Sequence, residues 1–399
     1  MTQFFDLGAQ PFANGLVRNK ETRGKTYPLS LSRCCECSLI QLNQTADPEE
    51  LFSNYVWTTG TSSTARDYSV KFCEMVLEHK TVAKDSGYIL EIASNDGTFL
   101  EPFISKGYKV LGIDPAKNVA DKAVSEGIPT KCGFFGESLA EEIVSKQGKP
   151  EVVFARNVLP HVANLHDFVK GIETCASHTS LIVIEVHYAK VILEELHYDS
   201  IYHEHLCYFS LKSIENLLNR FGLYVYDIMP SQISGGSIVL FIKKEMQEAG
   251  DSLKLYRDNE SRDGTNEMSS WKKFSEEAFS HRKSLLGLLD EECKQGRTVV
   301  GYGASARSST LLNFCGINSK YIIAIADQNP LKHGLFTAGA HIPIFSPGEV
   351  MKSNPATIFL MAWNFQEEIV EILQDRFGFR GTLIVPLPHN PKTMNLGAA

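Results

Sequence analysis

Apolar residues along the middle of this chain gather in short runs, separated by stretches in which they recur at helical spacing. Tyr88–Ile92 reads as a buried strand, followed by a turn at Ser94–Thr98 and a helix from about Phe99. Tyr108–Ile113 reads as a second strand ending at Asp114, with Pro115 opening the next helix at its first position. Thr130–Cys132, Glu151–Ala155 and Leu181–Val186 continue the series, and Ile238–Lys243 reads as a later strand on an antiparallel edge. Apolar runs alternating with helical segments predict an α/β fold, a parallel sheet with helices on both faces.

The flanks have a different texture. Residues 1–65 are turn-rich, with extended runs at Pro28–Leu31 and Leu39–Leu42 on either side of Cys34, Cys35 and Cys37, as in a small metal-knuckle hairpin. Ala65–His79 has helical spacing. Residues 246–270 are polar and read as a linker merging into an amphipathic helix that ends near Gln295. A second α/β unit follows: strand Thr298–Tyr302, glycine turn Gly301–Gly303, helix Ser308–Cys315, strand Ile322–Ala326 ending at Asp327, and strands Thr357–Met361 and Thr382–Pro386. The expected organisation is a small N-terminal domain over 1–65, a central α/β domain over 66–245 and a second α/β domain over 246–399.

Composition narrows the partners. A chain of 399 residues exceeds one ordinary core, consistent with several domains. The net charge of −8, with no long basic block, argues against a nucleic-acid surface and leaves room for a small anion held by local groups. No apolar run reaches the roughly 18 residues of a membrane span, and no secretory signal opens the chain, so a cytoplasmic protein with no membrane contact is expected. Nine cysteines, mostly scattered, suit reduced thiols. Monomer and dimer both remain open.

The chemistry concentrates in Glu91-Ile92-Ala93-Ser94-Asn95-Asp96-Gly97-Thr98. A strand, a turn and a helix make the basic nucleotide-binding element, with ligand at the carboxyl ends of the strands. A dinucleotide site wants three glycines around a pyrophosphate, and this loop has one glycine among side chains that accept hydrogen bonds. S-adenosylmethionine (SAM) carries an ammonium and a sulfonium but no phosphate, and carboxylates such as Glu91 and Asp96 suit those cations. Asp114 can accept both ribose hydroxyls. An acidic loop that merely caps a helix is the plainer alternative. Phe134 and Phe135 either pack on the adenine or belong to the core.

Several motifs together resemble the three-domain C-methyltransferases that act on nucleotide-linked deoxysugars. They are F-D-L-G-x-Q-P-x-A-N at 5–14, C-x-x-C-S-L-I-Q-L at 34–42, E-I-A-S-N-D-G-T at 91–98 and N-V-L-P-H-V at 157–162. I-Y-H-E-H-L-C-Y-F-S at 201–210, G-Y-G-A-S-A-R-S-S-T-L-L-N at 301–313 and A-W-N-F at 362–365 complete the set. The resemblance implies a class I SAM-dependent methyltransferase domain of Rossmann-like architecture, a second Rossmann-like C-terminal domain and a small N-terminal domain. The cofactor set would be Glu91, Ser94, Asn95, Asp96, Gly97, Thr98, Asp114 and Asn157. The implied reaction is methyl transfer to carbon, at C3 of a 4-keto-deoxysugar: a proton is removed beside the ketone, and the enolate then takes the methyl in line. His205 would be the general base, with Tyr202, Glu204, His161 and Tyr55 lining the reaction centre. His203 reads as structural, and His187, His197 and Tyr208 as possible cleft neighbours. The C-terminal domain would help bind the nucleotide sugar through Arg307, Lys332, Trp363 and Asn364. Gly235-Gly236-Ser237 marks either a close approach of substrate or a tight turn.

Two departures from the family pattern matter. The family carries two C-x-x-C pairs on a structural zinc, and here Cys34 and Cys37 alone are in register, half a tetrahedral site. The expectation is no bound zinc, unless other groups complete the set or the natural start of the chain is missing. The second glycine turn lacks the third glycine of a dinucleotide site and places Arg307 where the family commonly has lysine. Rival readings are an NAD-dependent nucleotide-sugar oxidoreductase using Gly301–Arg307, a methyltransferase acting on oxygen or nitrogen of another acceptor, and an inactive relative that only binds ligands.

Overall fold

The computed structural model describes residues 1–22, 24–46, 58–85, 87–231 and 235–397. The chain opens with β1 (Thr2–Gln10), β2 (Tyr27–Arg33) and β3 (Ile40–Leu42). The middle contributes β4 (Tyr88–Ile92), β5 (Lys109–Asp114), β6 (Thr130–Cys132), β7 (Val152–Arg156) and β8 (Leu181–His187). Then come β9 (Cys207–Tyr208), β10 (Tyr224–Ser231) and β11 (Ser237–Lys243). The last part adds β12 (Val299–Tyr302), β13 (Ile325–Ala326), β14 (Ile344–Phe345), β15 (Thr357–Leu360), β16 (Thr382–Val385) and β17 (Lys392–Asn395).

The central sheet runs β10-β11-β8-β7-β4-β5-β6. Its first five strands in sequence pair in parallel, and β11 lies antiparallel between β8 and β10. Every residue of β4 and β8 is buried, as expected for strands covered on both faces. Alternate residues feed opposite cores: Leu90, Ile92, Val153 and Ala155 face one, and Ile89, Val152, Phe154 and Val183 face the other. By the same alternation Glu91, Arg156, Glu185 and His187 fall on the second face, above Phe154. The chain leaves β4 for β5 on one side and returns to β7 on the other, so a crevice opens at the carboxyl ends of β4 and β7.

The C-terminal sheet repeats this plan in the order β14-β13-β12-β15-β16-β17, parallel except for β17. The N-terminal sheet is antiparallel, β1-β2-β3-β9, so its fourth strand is lent by the segment just after Tyr202–His205. A long helix, Met268–Lys294, packs Trp271 and Phe274 against Phe4 and Phe5 of β1. No helix among the described residues is long and apolar enough to cross a membrane.

Four expectations change. β11 is an interior strand, because β10, whose mixed pattern hides it in the sequence, pairs outside it. Residues 246–270 hold a helix, Asp251–Arg262, rather than a linker; its buried Glu260 accepts from the Leu211 and Lys212 amides and the Tyr188 hydroxyl. Pro115 precedes the helix at Lys117–Ser125 instead of opening it, since Asp114 holds the Ala116 amide in a turn at 2.9 Å. The helix expected from Phe99 starts at Glu101, because Phe99 and Leu100 turn into the core.

The second glycine turn is shaped by packing. Gly303 has φ +93°, and a Cβ there would lie 2.5 Å from the Ala362 Cβ. A Cβ on Gly301 would lie 2.7 Å from the Met361 Cε. Both glycines therefore let β12 approach β15. Gly303→Ala is expected to destabilise the protein by about 1–3 kcal/mol through overpacking and strain, read as a lower urea midpoint; an unchanged midpoint would contradict the packing role.

Candidate active site

One cleft of about 1270 Å³ runs from the carboxyl ends of β4 and β5, past Tyr202–His205, to the turn after β12. At its first end the chain kinks sharply: Ala93, Asn95 and Gly97 have φ of 59°, 51° and 80°. The kink aims the Asn95 amide at Asp114 Oδ2 (2.8 Å), while Oδ1 accepts from Ala116 at 2.9 Å. Each Asp114 oxygen keeps a lone pair toward the cleft, and burial raises its pKa against those two amides. Glu91 is 3% exposed, and its Oε2 has no hydrogen-bond partner among the described residues. Burial lifts its pKa well above the usual carboxylate range, partly opposed by the Arg156 charge.

Ser94, Asn95 and Asn157 also line this end; Asn157, with φ 49°, donates its amide to the Glu185 carbonyl. Asp96, Gly97 and Thr98 do not. Asp96 accepts from the Thr98 hydroxyl (2.6 Å), Lys122 Nζ (3.0 Å) and the Gly60 amide (3.1 Å), tying the loop to the segment ahead of the helix at Ser63–His79. Burial pushes the Asp96 pKa up, but these donors outweigh it and hold it below the ordinary value. Gly97 is small because a Cβ would meet Ile128 Cδ1 at 2.4 Å. Phe134, 52% exposed, and the half-buried Phe135 both line the cleft, and Phe135 also packs edge-on against the buried Phe168.

The middle of the cleft holds Tyr202, Glu204, His205 and His161. His205 Nδ1 stands 2.8 Å from the Ser200 carbonyl, which fixes that nitrogen as the donor. Nε2 is left with a lone pair, 2.8 Å from the Tyr202 hydroxyl. Burial, with His161 and Arg307 nearby, drives the His205 pKa well below its usual value, so the ring is neutral. His161 donates Nδ1–H to the Glu204 carbonyl at 2.7 Å, and burial lowers its pKa to about 4. Burial raises Glu204 to about 7, opposed by Asn14 Nδ2, which donates to Oε1 at 2.7 Å. His203 turns away and lies edge-on to the stacked rings of Phe12 and Tyr27. Tyr208 is buried edge-on to His205, and Tyr55 lies outside the described residues.

At the far end Arg307, on the first turn of the helix Ala306–Cys315, faces the cleft with both terminal nitrogens buried and without a hydrogen-bond partner among the described residues. Its guanidinium sits 5.1 Å over the Trp363 ring, whose Nε1 donates to Asp199 at 2.8 Å. Asn364 and His187 also line this end, and His197 lies beneath them, 4.7 Å from Trp363. Gly235 leaves room for Arg307, since a Cβ there would lie 3.2 Å from Nη1. Lys332 reaches the Ala304 carbonyl (2.8 Å) and Asp327 (3.3 Å). Asp327 also accepts from the Ala304 and Asn329 amides, so with Lys332 it holds three donors, one more than Asp114.

Sequence reasoning missed Asn14, Arg156 and Glu185. Arg156 Nε bonds Glu185 Oε2 at 2.6 Å, and Glu185 Oε1 accepts from Ser231 (2.7 Å) and Tyr68 (3.2 Å). The available signal was a charge closing each of two apolar strands, V-V-F-A-R and L-I-V-I-E-V-H. Cys34 and Cys37 sit at a tight turn between β2 and β3, and no third His, Cys, Asp or Glu joins them among the described residues.

The central strand order, with a buried acid near the end of β4 and a second closing β5, defines a class I SAM-dependent methyltransferase. Matches to three family models run along the chain: "Putative zinc binding domain" over residues 1–52, "Methyltransferase domain" over 65–228 and "C-methyltransferase C-terminal domain" over 232–388. C-methyltransferase NovU of Streptomyces niveus is 30% identical over 386 residues, covering 96% of this chain and 92% of that one. The chain therefore belongs to the C-methyltransferase family. Among solved structures it is similar to a S-adenosylmethionine-dependent methyltransferase from Clostridium acetobutylicum (12% identity, 46% of this chain and 92% of that one, TM-score 0.35). It is similar also to the CcbJ methyltransferase of Streptomyces caelestis (13% identity, 46% and 90%, TM-score 0.35).

Its cofactor is S-adenosylmethionine, and the unsatisfied Glu91 Oε2 fits a cationic ligand. Glu91→Gln tests this. A carboxyl with a raised folded pKa costs stability once pH rises above its unfolded value, roughly 4.3. The variant should melt higher than wild type at pH 7, with the difference vanishing near pH 4. It should also bind adenosylhomocysteine about 10–100-fold more weakly, the worth of a hydrogen bond to a charged group. Unchanged affinity in a titration calorimeter would contradict the assignment.

Proposed function

We propose that this enzyme, working in the cytoplasm, methylates C3 of a nucleotide-linked 4-keto-deoxysugar. The observation that carries the reading is the placement, in one cleft, of a neutral imidazole, a carboxyl with a pKa of about 7 and a guanidinium whose terminal nitrogens have no hydrogen-bond partner among the described residues. Methyl transfer to oxygen or nitrogen needs no such carbon base. The buried Arg307 at a helix N-terminus suits a diphosphate, with Trp363, Asn364 and Lys332 beside it. Glu91, Asp114, Ser94, Asn95 and Asn157 hold the cofactor, which supplies an electrophilic methyl on a sulfonium; Asp96, Gly97 and Thr98 shape the loop beneath it.

The chain's own residues then handle one proton and one developing charge. The proton leaves the carbon beside the ketone and ends on His205 Nε2, directly or through the Tyr202 hydroxyl, giving an imidazolium backed by the Ser200 carbonyl. Glu204, in its protonated form, donates to the enolate oxygen. Asn14 fixes the other Glu204 oxygen, and His161 braces the Glu204 carbonyl.

His205→Asn is expected to cut methyl transfer to a thymidine-diphosphate 4-keto-deoxyhexose by about 10²–10⁴ while leaving adenosylhomocysteine affinity unchanged. It should also abolish exchange of the substrate C3 proton in deuterated water. Near-normal turnover would remove His205 from the role. For Glu204, kcat/KM should fall as pH rises through about 7. Asn14→Ala removes a donor that favours the ionised form, so this limb should move to higher pH; a downward shift would contradict the assignment.

A further inference from the structure

Arg156 has a use that an internal ion pair does not account for. It closes β7 on the sheet face that carries Glu91 and Glu185, with its side chain 8% exposed and lining the cleft. Glu185 takes its Nε, and the guanidinium carbon lies 3.3 Å over the Phe99 ring. These two contacts fix the plane of the group and consume one of five N–H donors. Among the described residues, the two terminal nitrogens make no hydrogen bond. The edge they form is the one that binds a carboxylate in a fork.

The neighbour supplies the rest of the argument. β4 and β7 pair in parallel with Ile92 opposite Ala155, so Glu91 and Arg156 stand on adjacent strands, with Arg156 two residues beyond Glu91's partner Phe154. At roughly 3.3 Å per residue and 4.8 Å between strands, their backbones lie about 8 Å apart, and their side chains rise on the same face into the same cleft. Among the described residues, Glu91 offers an acceptor without a donor, and Arg156 two donors without an acceptor. An α-amino acid group, an ammonium next to a carboxylate, is the chemical complement of that pair.

We propose that Arg156, held by Glu185 and Phe99, receives the carboxylate of the methionine moiety of adenosylmethionine while Glu91 receives its ammonium. The Glu185 network, with Ser231 and Tyr68 behind it, sets the angle of the fork. Arg156 is thus a specificity-determining residue that selects the intact amino-acid tail.

The test compares affinities within each protein, so a general loss of affinity cancels. Calorimetric dissociation constants are measured for adenosylhomocysteine and for its decarboxylated analogue, with 5′-methylthioadenosine as a probe of the adenosine site. Wild type should prefer the carboxylated ligand by about 10–100-fold, the worth of charge-assisted hydrogen bonds. In Arg156→Gln/Glu185→Gln, which removes both buried charges together, that ratio should fall to near 1 while 5′-methylthioadenosine binds as before. A ratio unchanged in the double variant, or near 1 in wild type, overturns the proposal, because a purely structural ion pair would not move it. If the double variant does not fold, Arg156→Lys decides: it keeps a charge beside Glu185 but loses the fork, and the ratio must narrow for the proposal to stand.

Discussion

The structure depends on how the segment from Tyr198 to Leu206 is held, because all three units bond to it. From the C-terminal unit, Trp363 donates to Asp199 and Thr310 to the Ile201 carbonyl. The long helix contributes His281, 3.0 Å from the Tyr198 hydroxyl. The N-terminal unit supplies Asn14 to Glu204, the Tyr27 carbonyl to His203 and the Leu42 amide to the Leu206 carbonyl. The central domain closes the set with the Pro160 carbonyl, which accepts from the Leu206 amide at 2.7 Å. A polar stretch this deeply buried is tolerable because its groups are largely paired.

Burial also sets the electrical state of the cleft. Desolvation acts on every group in it in one direction, toward neutrality: Glu91 and Glu204 upward, His161, His187 and His205 downward. Among the charged groups lining it, Arg156 is paired with Glu185 at the end of β7, and Arg307 stands at the other end, its terminal nitrogens without a hydrogen-bond partner among the described residues. The middle holds an imidazole kept neutral by burial beside a carboxyl whose pKa is about 7. A neutral imidazole beside a neutral acid is the combination that can accept a proton and donate a hydrogen bond in the same turnover.

Much of the fold was legible because β4, β5, β7 and β8 are covered on both faces, and such strands are written as unbroken apolar runs. β1 and β10 alternate irregularly, and Asp251–Arg262 docks through one buried carboxylate rather than an apolar stripe, so none of the three left a clear periodic signal. Within the cleft, Glu91 and Asp114 were readable because strand ends announce them. Asn14, by contrast, reaches Glu204 across a large gap in sequence, and the long-range pairing of Arg156 with Glu185 exists only once β7 and β8 lie side by side. Side chains that act through tertiary neighbours have no local pattern to betray them.

The loan of β9 to the N-terminal sheet has a consequence for the order in which the protein is made. When the ribosome has released β1 to β8, the floor beneath the methyl donor has its strands, but the first sheet still lacks its fourth. That strand arrives only with Cys207 and Tyr208, two residues after His205, so the sheet closes next to the imidazole held by the Ser200 carbonyl. The surroundings of His205 thus depend on a pairing between the first forty-odd residues and Cys207–Tyr208, a long-range contact of the kind that makes folding cooperative.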